Sequence, residues 1–252
     1  MKKLMSHLVA NYPNPELSFA VAQALVEGGA DILEIQLPFS DPSADGPAIQ
    51  NACSTVLEAG ATTRDGLAFI EKVHKAFPDV KIAIMSYGSL IYTPGVDNFC
   101  KKASSAGVNY MIIPDLPFDC DEGLTQSCKK YGMENVPVAA PSMSDERMQK
   151  MLDCGFTTIY AALRAGITGT DTKIDQGTVD FLKRLQKPNK AGITPKIYGG
   201  FGINGKAQAD AIAPYVEGVV AGSVFVRLID AAEGSKALLM QTITQKAKEI
   251  KG

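Results

Sequence analysis

Short runs rich in Val and Ile alternate with amphipathic helical stretches along the 252-residue chain, and this alternation constrains the fold more than any other feature. The runs are LMSHLVA (4–10), DILEIQL (31–37), KIAIMSY (81–87), NYMIIP (109–114), NVPVAA (135–140), TTIYAAL (157–163), PKIYGG (195–200) and GVVAG (218–222). Most are bounded by Gly or Pro, and a helical stretch follows each, so they read as strands of parallel βαβ units. Eight such units suit a closed sheet better than an open one. The prediction is an α/β fold, a single (β/α)8 TIM barrel over residues 1–252 with extra short helices. An open doubly wound sheet is the alternative.

Local signals agree. Asn14-Pro15-Glu16 supplies an N-cap, a first-turn Pro and an early acid, and Gly28-Gly29 ends that helix. A second helix starts near Pro47, and 63–76 reads as an extra helix between the second and third strands. The chain length matches the roughly 250 residues of a typical barrel. A formal net charge of -2 and scattered basic residues give no field for nucleic acid or an anionic membrane. No apolar run reaches the roughly 18 residues of a membrane span, and the first residues do not form a signal peptide. Five cysteines, without a C-x-x-C pair, fit reduced thiols in a cytoplasmic protein. Two histidines leave no metal site, and none is expected.

Strand phase singles out one acid. In DILEIQL, Leu33, Ile35 and Leu37 share one face, while Ile32, Glu34 and Gln36 share the other. The all-apolar face packs on helices, so Glu34 points into the barrel, toward the rim where barrel active sites sit. A carboxylate there loses water, which disfavours its charged form and suits acid–base work near neutrality. The competing reading is a buried Glu paired with a cation for structure. No strand-interior Lys or Arg stands at its level, so catalysis is favoured. The loop after this strand, PFSDPSADGPAIQ (38–50), adds Asp41 and Asp45. Asp41 reads on bare sequence as turn chemistry. Asp45 stands evenly between a turn residue and a pocket carboxylate.

Three late segments follow strands and are rich in small residues: RAGITGTD (164–171), GGFGING (199–205) and AGSVFVRL (221–228). Glycines let backbone N–H groups approach a phosphate, and Ser223 would open a short helix whose N-terminus attracts anions. Barrels often bind phosphate there, with plain turns as the bland alternative. The first segment also reads as a lid, anchored by Arg164. Lys81 and Lys196 sit at strand starts, on the face away from the site, so neither can form a Schiff base with substrate.

The stretches LEIQLPFSDPSADGPAIQ, PDLP (114–117), SDER (144–147), RAGITG, GGFGI and AGS, in this order, resemble the α subunit of tryptophan synthase. The resemblance runs from about Tyr12 to Ile229. It implies an indole-3-glycerol phosphate lyase of L-tryptophan biosynthesis, releasing indole and glyceraldehyde 3-phosphate by retro-aldol cleavage. By position, Glu34 matches the family's acid–base residue and Asp45 the acid that meets the indole N–H. Tyr87, Tyr160, Arg164, Thr168 and Phe201 match substrate-binding residues. Gly169, Gly202, Gly222 and Ser223 match phosphate-binding groups. Pro38, Asp41 and Pro42 match the loop facing the partner, which revises the turn reading of Asp41. The implied partner is a β subunit carrying the pyridoxal phosphate, with two alpha and two beta chains; this chain itself is expected to need no cofactor.

Three positions depart from the family pattern. Gln36 replaces a Gly two residues past Glu34. His7 stands where the family has an apolar, often aromatic, residue on the first strand. Ser89 replaces an Asn after the third. One alternative is a self-sufficient indole-releasing lyase; another, which Gln36 and His7 keep open, is a weakly active barrel that mainly binds and activates a β subunit.

Overall fold

The computed structural model of the chain describes residues 2–163 and 174–252. In chain order the elements are β1 (Lys3–Val9), α1 (Pro15–Glu27), β2 (Ile32–Gln36), α2 (Pro47–Glu58), α3 (Thr63–Ala76), β3 (Lys81–Met85), α4 (Gly88–Tyr92) and α5 (Val96–Ser105). They continue as β4 (Tyr110–Ile112), α6 (Leu124–Lys130), β5 (Glu134–Asn135), β6 (Val138–Ala139), α7 (Asp145–Asp153), β7 (Thr158–Ala162) and α8 (Gln176–Leu185). The chain ends with β8 (Lys196–Gly200), α9 (Lys206–Ile212), a 3₁₀ turn Ala213–Tyr215, β9 (Gly218–Ala221), α10 (Ser223–Ala231) and α11 (Lys236–Lys251).

The helix starts follow from their caps. The Asn14 side chain accepts from the Leu17 N–H, with Pro15 as the first helical residue of α1. Thr62 and Asp65 cap α3 reciprocally, so the extra helix expected between the second and third strands is present. The side chains of Ser144, Asp175 and Ser235 cap α7, α8 and α11 by accepting from the Arg147, Thr178 and Leu238 N–H groups.

All described strand pairs are parallel, in the order β5-β4-β3-β2-β1-β9-β8-β7-β6. Nine strands stand where the sequence predicts eight, because Pro137 lacks an N–H and splits the fifth run in two. The halves face opposite neighbours. Val136 donates to the Met111 carbonyl at 2.8 Å, and the Pro137 carbonyl accepts from the Tyr160 N–H at 3.0 Å. The two ends of the strand order are thus consecutive pieces of one segment, and the sheet closes on itself. This closure excludes the open doubly wound sheet.

The predicted strand phase holds. Leu33, Ile35 and Leu37 lie in the outer core between sheet and helices. Ile32 lies inside the barrel with Met5, Ala83, Ile112, Val136, Tyr160, Tyr198 and Val220. Each buried Leu or Ile contributes about 1.5–3 kcal/mol relative to exposure. The lower barrel is therefore a packed, largely apolar plug, with Thr158 bonded to Glu134 at the start of β7.

One turn depends on a glycine. Gly107, between α5 and β4, has φ +93, and a Cβ there would stand 2.2 Å from His74 Cγ. Gly107→Ala is expected to lower stability by roughly 1–3 kcal/mol through strain and overpacking. Urea unfolding should show a lower midpoint at an unchanged slope.

Candidate active site

The register of β1 on β2 sets the centre of the site. It pairs Met5 with Ile32, His7 with Glu34 and Val9 with Gln36, and β2 on β3 pairs Glu34 with Ala83. Paired residues of a parallel ladder project to the same face, so His7 and Glu34 enter the barrel side by side. His7 Nδ1 lies 2.9 Å from Glu34 Oε2, with the residues 4% and 3% exposed. A buried carboxylate needs a partner of this kind. Burial pushes the His7 imidazole down, but the hydrogen bond and charge of Glu34, backed by the charge of Asp45, outweigh it and hold the ring above its ordinary value. Sequence reasoning sought a Lys or Arg at this level and missed a histidine. The signal was present in LMSHLVA, where His7 alternates with the inward-facing Met5 and Val9.

The loop after β2 brings in the second acid. Asp45 closes a turn onto the Pro42 carbonyl at 2.9 Å, and Gly46-Pro47 then starts α2. Asp45 is 2% exposed. Its Oδ2 accepts from Gln36 Nε2 at 2.8 Å and from the Tyr87 hydroxyl at 2.7 Å. Burial raises the Asp45 carboxyl above its ordinary value. The charge of His7 and the hydrogen bonds from Tyr87 and Gln36 oppose that rise without cancelling it. Tyr87 also accepts the Ala44 N–H at 3.2 Å, and its ring stacks on Phe39. Tyr87 thus braces the loop from behind Asp45. Gln36 reaches Asp45 and, at 3.4 Å, Cys53 Sγ, whose thiol burial pushes up to about 12.

His7, Glu34 and Asp45 open into one cavity at the C-terminal mouth of the barrel. Its β3–β6 side is apolar, with Met85, Ile112, Pro114 and Val138, and Ile49 of α2 adds to it. Tyr160 stands on β7, packed edge-on to Phe201 with ring centroids 5.9 Å apart. Burial, then the charges of Glu34 and Asp45, hold the Tyr160 phenol far above its usual range, so it stays a neutral donor. Phe201 has φ +77 and Gly202 φ +90, a strained turn at the end of β8 that aims both at the cavity. Gly222 and Ser223 form the remaining wall. No side chain caps α10, so its first-turn N–H groups are available to an anion.

Of the residues singled out in the sequence, Glu34, Asp45, Tyr160, Phe201, Gly202, Gly222 and Ser223 line this cavity. Arg164, Thr168 and Gly169, with the lid assigned to their segment, lie outside the described residues. Pro38 is half-buried, Asp41 is exposed and bonded by Ser40, and Pro42 is buried. Among the described residues no three His, Cys, Asp or Glu side chains converge to hold a metal ion.

The whole chain, residues 1–252, matches the family model described as tryptophan synthase alpha chain. The tryptophan synthase alpha chain of Methanosarcina acetivorans is 36% identical over 249 residues, covering 98% of this chain and 87% of the relative. That of Aliivibrio fischeri is 34% identical over 240 residues, covering 95% and 88%. Among solved structures, Mycobacterium tuberculosis tryptophan synthase superposes with a TM-score of 0.85 at 30% identity, covering 98% of this chain and 91% of the other. The tryptophan synthase A-subunit of Pyrococcus furiosus gives a TM-score of 0.85 at 28% identity, covering 99% and 98%.

The hydrogen bonds on Asp45 predict its titration. Tyr87→Phe removes a donor that favours the ionised form, so the Asp45 carboxyl should titrate at higher pH than in the wild type. The Ala44 N–H loses its acceptor as well, at a cost of about 1–3 kcal/mol. Carboxyl ¹³C chemical shifts followed against pH check the first effect, and an unmoved midpoint would contradict the assigned network.

Proposed function

The chain belongs to the tryptophan synthase alpha chain family, and from this premise we propose that it cleaves indole-3-glycerol phosphate to indole and glyceraldehyde 3-phosphate. The observation that carries the proposal is one cavity holding two buried carboxylates, with the uncapped N-terminus of α10 in its wall. The apolar β3–β6 side fits an indole ring. Gly202, Gly222 and Ser223 on the β8–β9 side fit a phosphate, and the scissile bond then falls near Glu34.

In the proposed reaction the substrate carbon acting as nucleofuge is indole C3. Its protonation gives an indolenine, which accepts the electron pair of the C–C bond as that bond breaks. The hydroxyl on the adjacent glycerol carbon loses its proton and becomes the aldehyde carbonyl. Glu34 supplies the acid–base function. Asp45 stabilises the positive charge that develops at the ring nitrogen, and the hydrogen bonds from Tyr87 and Gln36 help keep it ionised. Tyr160 and Phe201 flank the substrate, and Arg164, Thr168 and Gly169 are assigned by position alone.

The family implies a β-subunit partner. We assign two alpha and two beta chains to the assembly, with the pyridoxal phosphate on the β chain and Pro38, Asp41 and Pro42 toward it. We place the protein in the cytoplasm; no helix of the described residues is long and apolar enough to cross a membrane.

Turnover of indole-3-glycerol phosphate, with and without a β subunit, tests the proposal. Glu34→Gln should lower kcat by at least about 10²-fold, the loss of one acid–base function. Binding of glycerol 3-phosphate, followed by calorimetry, should survive in that variant. Cleavage at the wild-type rate by Glu34→Gln would remove the residue from the mechanism.

A further inference from the structure

Among the described polar residues lining the cavity, His7 is the one that the assigned chemistry leaves unused. Its Nδ1 is bound to Glu34, while its Nε2 is buried and has no hydrogen-bond partner among the described residues. A buried polar atom without a partner needs an explanation. The ring is placed to supply one. It lines the cavity, and a Cβ built on Gly222 would lie 3.1 Å from His7 Cβ and 3.4 Å from Cδ2. The Cδ2–Nε2 edge therefore borders the wall formed by Gly222 and Ser223. A phosphate held at α10 would bring the glycerol carbons past that edge.

Taking the proposed lyase reaction as its basis, we propose that His7 and Glu34 form a proton-transfer dyad, in which His7 Nε2 takes the proton of the substrate's glycerol hydroxyl while Glu34 delivers a proton to ring carbon C3. The atoms and electrons balance. The pair starts net neutral with two protons, one on the Glu34 oxygen away from the imidazole and one on Nδ1, donated to Oε2. The Glu34 proton passes to C3. The C3–C bond breaks and its electron pair flows to the indolenine nitrogen, restoring indole. The hydroxyl O–H pair becomes the carbonyl π bond, and its proton goes to Nε2. The pair is left as carboxylate and imidazolium, with the same two protons and the same net charge. Once the products leave, one proton returns from Nε2 to the carboxylate through cavity water.

The surroundings suit this exchange. Among the described residues, the titratable groups sharing the cavity with His7 are Glu34 on β2, Asp45 in the next loop and Tyr160 on β7. The neighbouring β9 and α10 contribute only Val220, Gly222 and Ser223. Both nearby carboxylates favour the imidazolium formed in the reaction.

Asn can still donate to Glu34 from its amide but cannot take up a proton, so His7→Asn separates proton transfer from positioning. The expected result with indole-3-glycerol phosphate is a kcat lowered about 10²- to 10⁴-fold, with KM within about threefold of wild type. The limb of the wild-type profile that falls as pH rises through the imidazole's value should also move. His7→Gln, a second side chain that can donate but cannot take up a proton, should show the same loss, which guards against a folding defect in one variant. The chain has two histidines, so ¹⁵N-histidine spectra resolve His7 from His74. In Glu34→Gln the His7 ring should titrate at lower pH. Retention of kcat within threefold and an unmoved pH profile in His7→Asn would overturn the dyad while leaving the lyase function standing. Absence of turnover by the wild-type chain, alone and with a β subunit, would overturn the lyase function and this role together.

Discussion

The site rests on a carboxylate buried inside a barrel. A carboxyl group in a low-dielectric interior is costly unless it is hydrogen-bonded, whichever charge it carries. Glu34 meets that requirement through the β1–β2 register, which sets His7 beside it at 2.9 Å. A slip of one residue in that register would turn every β1 side chain to the other face. His7 would then point into the helix layer and Glu34 would lose its partner. Closure of the sheet protects the register. With β1 held between β2 and β9, and the fifth strand bridging β4 and β7 on both sides of Pro137, no free edge remains at which a strand could shift.

The barrel was legible because two periods spoke clearly. Alternating elements named the class, and the period of two in DILEIQL placed Glu34 inside. The count of strands was legible only in part, since NVPVAA reads as one apolar run. The missing N–H of Pro137 was visible in it, but its consequence depends on which neighbour each half meets. Asp45 could not be placed from the loop sequence alone. Asp before Gly suits an ordinary turn, and only the tertiary donors Gln36 and Tyr87 draw it into the cavity. These partners are 9 and 42 residues away in the chain. Long-range hydrogen bonds leave no local pattern to read.

Some segments that carried the family resemblance are structural in action. Asp115 of PDLP accepts from the Gly88 N–H with both carboxylate oxygens, fixing the turn after β3 behind Tyr87. Ser144 of SDER caps α7, and Arg147 clamps Asp119 through both terminal nitrogens. Pro114 of PDLP lines the cavity, but Asp115, Ser144 and Arg147 do not. They hold the frame on which Tyr87 supports Asp45.

The two departures next to the acids belong to one arrangement. His7 gives Glu34 a donor, and Gln36 gives Asp45 one. No Lys or Arg lines the cavity among the described residues, so these neutral-capable donors are what the structure offers two carboxylates out of water. A fixed cation would pin both acids in the ionised form and leave neither with a proton to give. An imidazole and an amide act differently. The amide steadies Asp45 without changing its charge, and the imidazole can exchange a proton with Glu34 while the pair's net charge stays constant. The two acids are thereby set for different tasks. In the proposed mechanism one is held by two donors toward a developing positive charge, and the other is coupled to a group that can return the proton it spends.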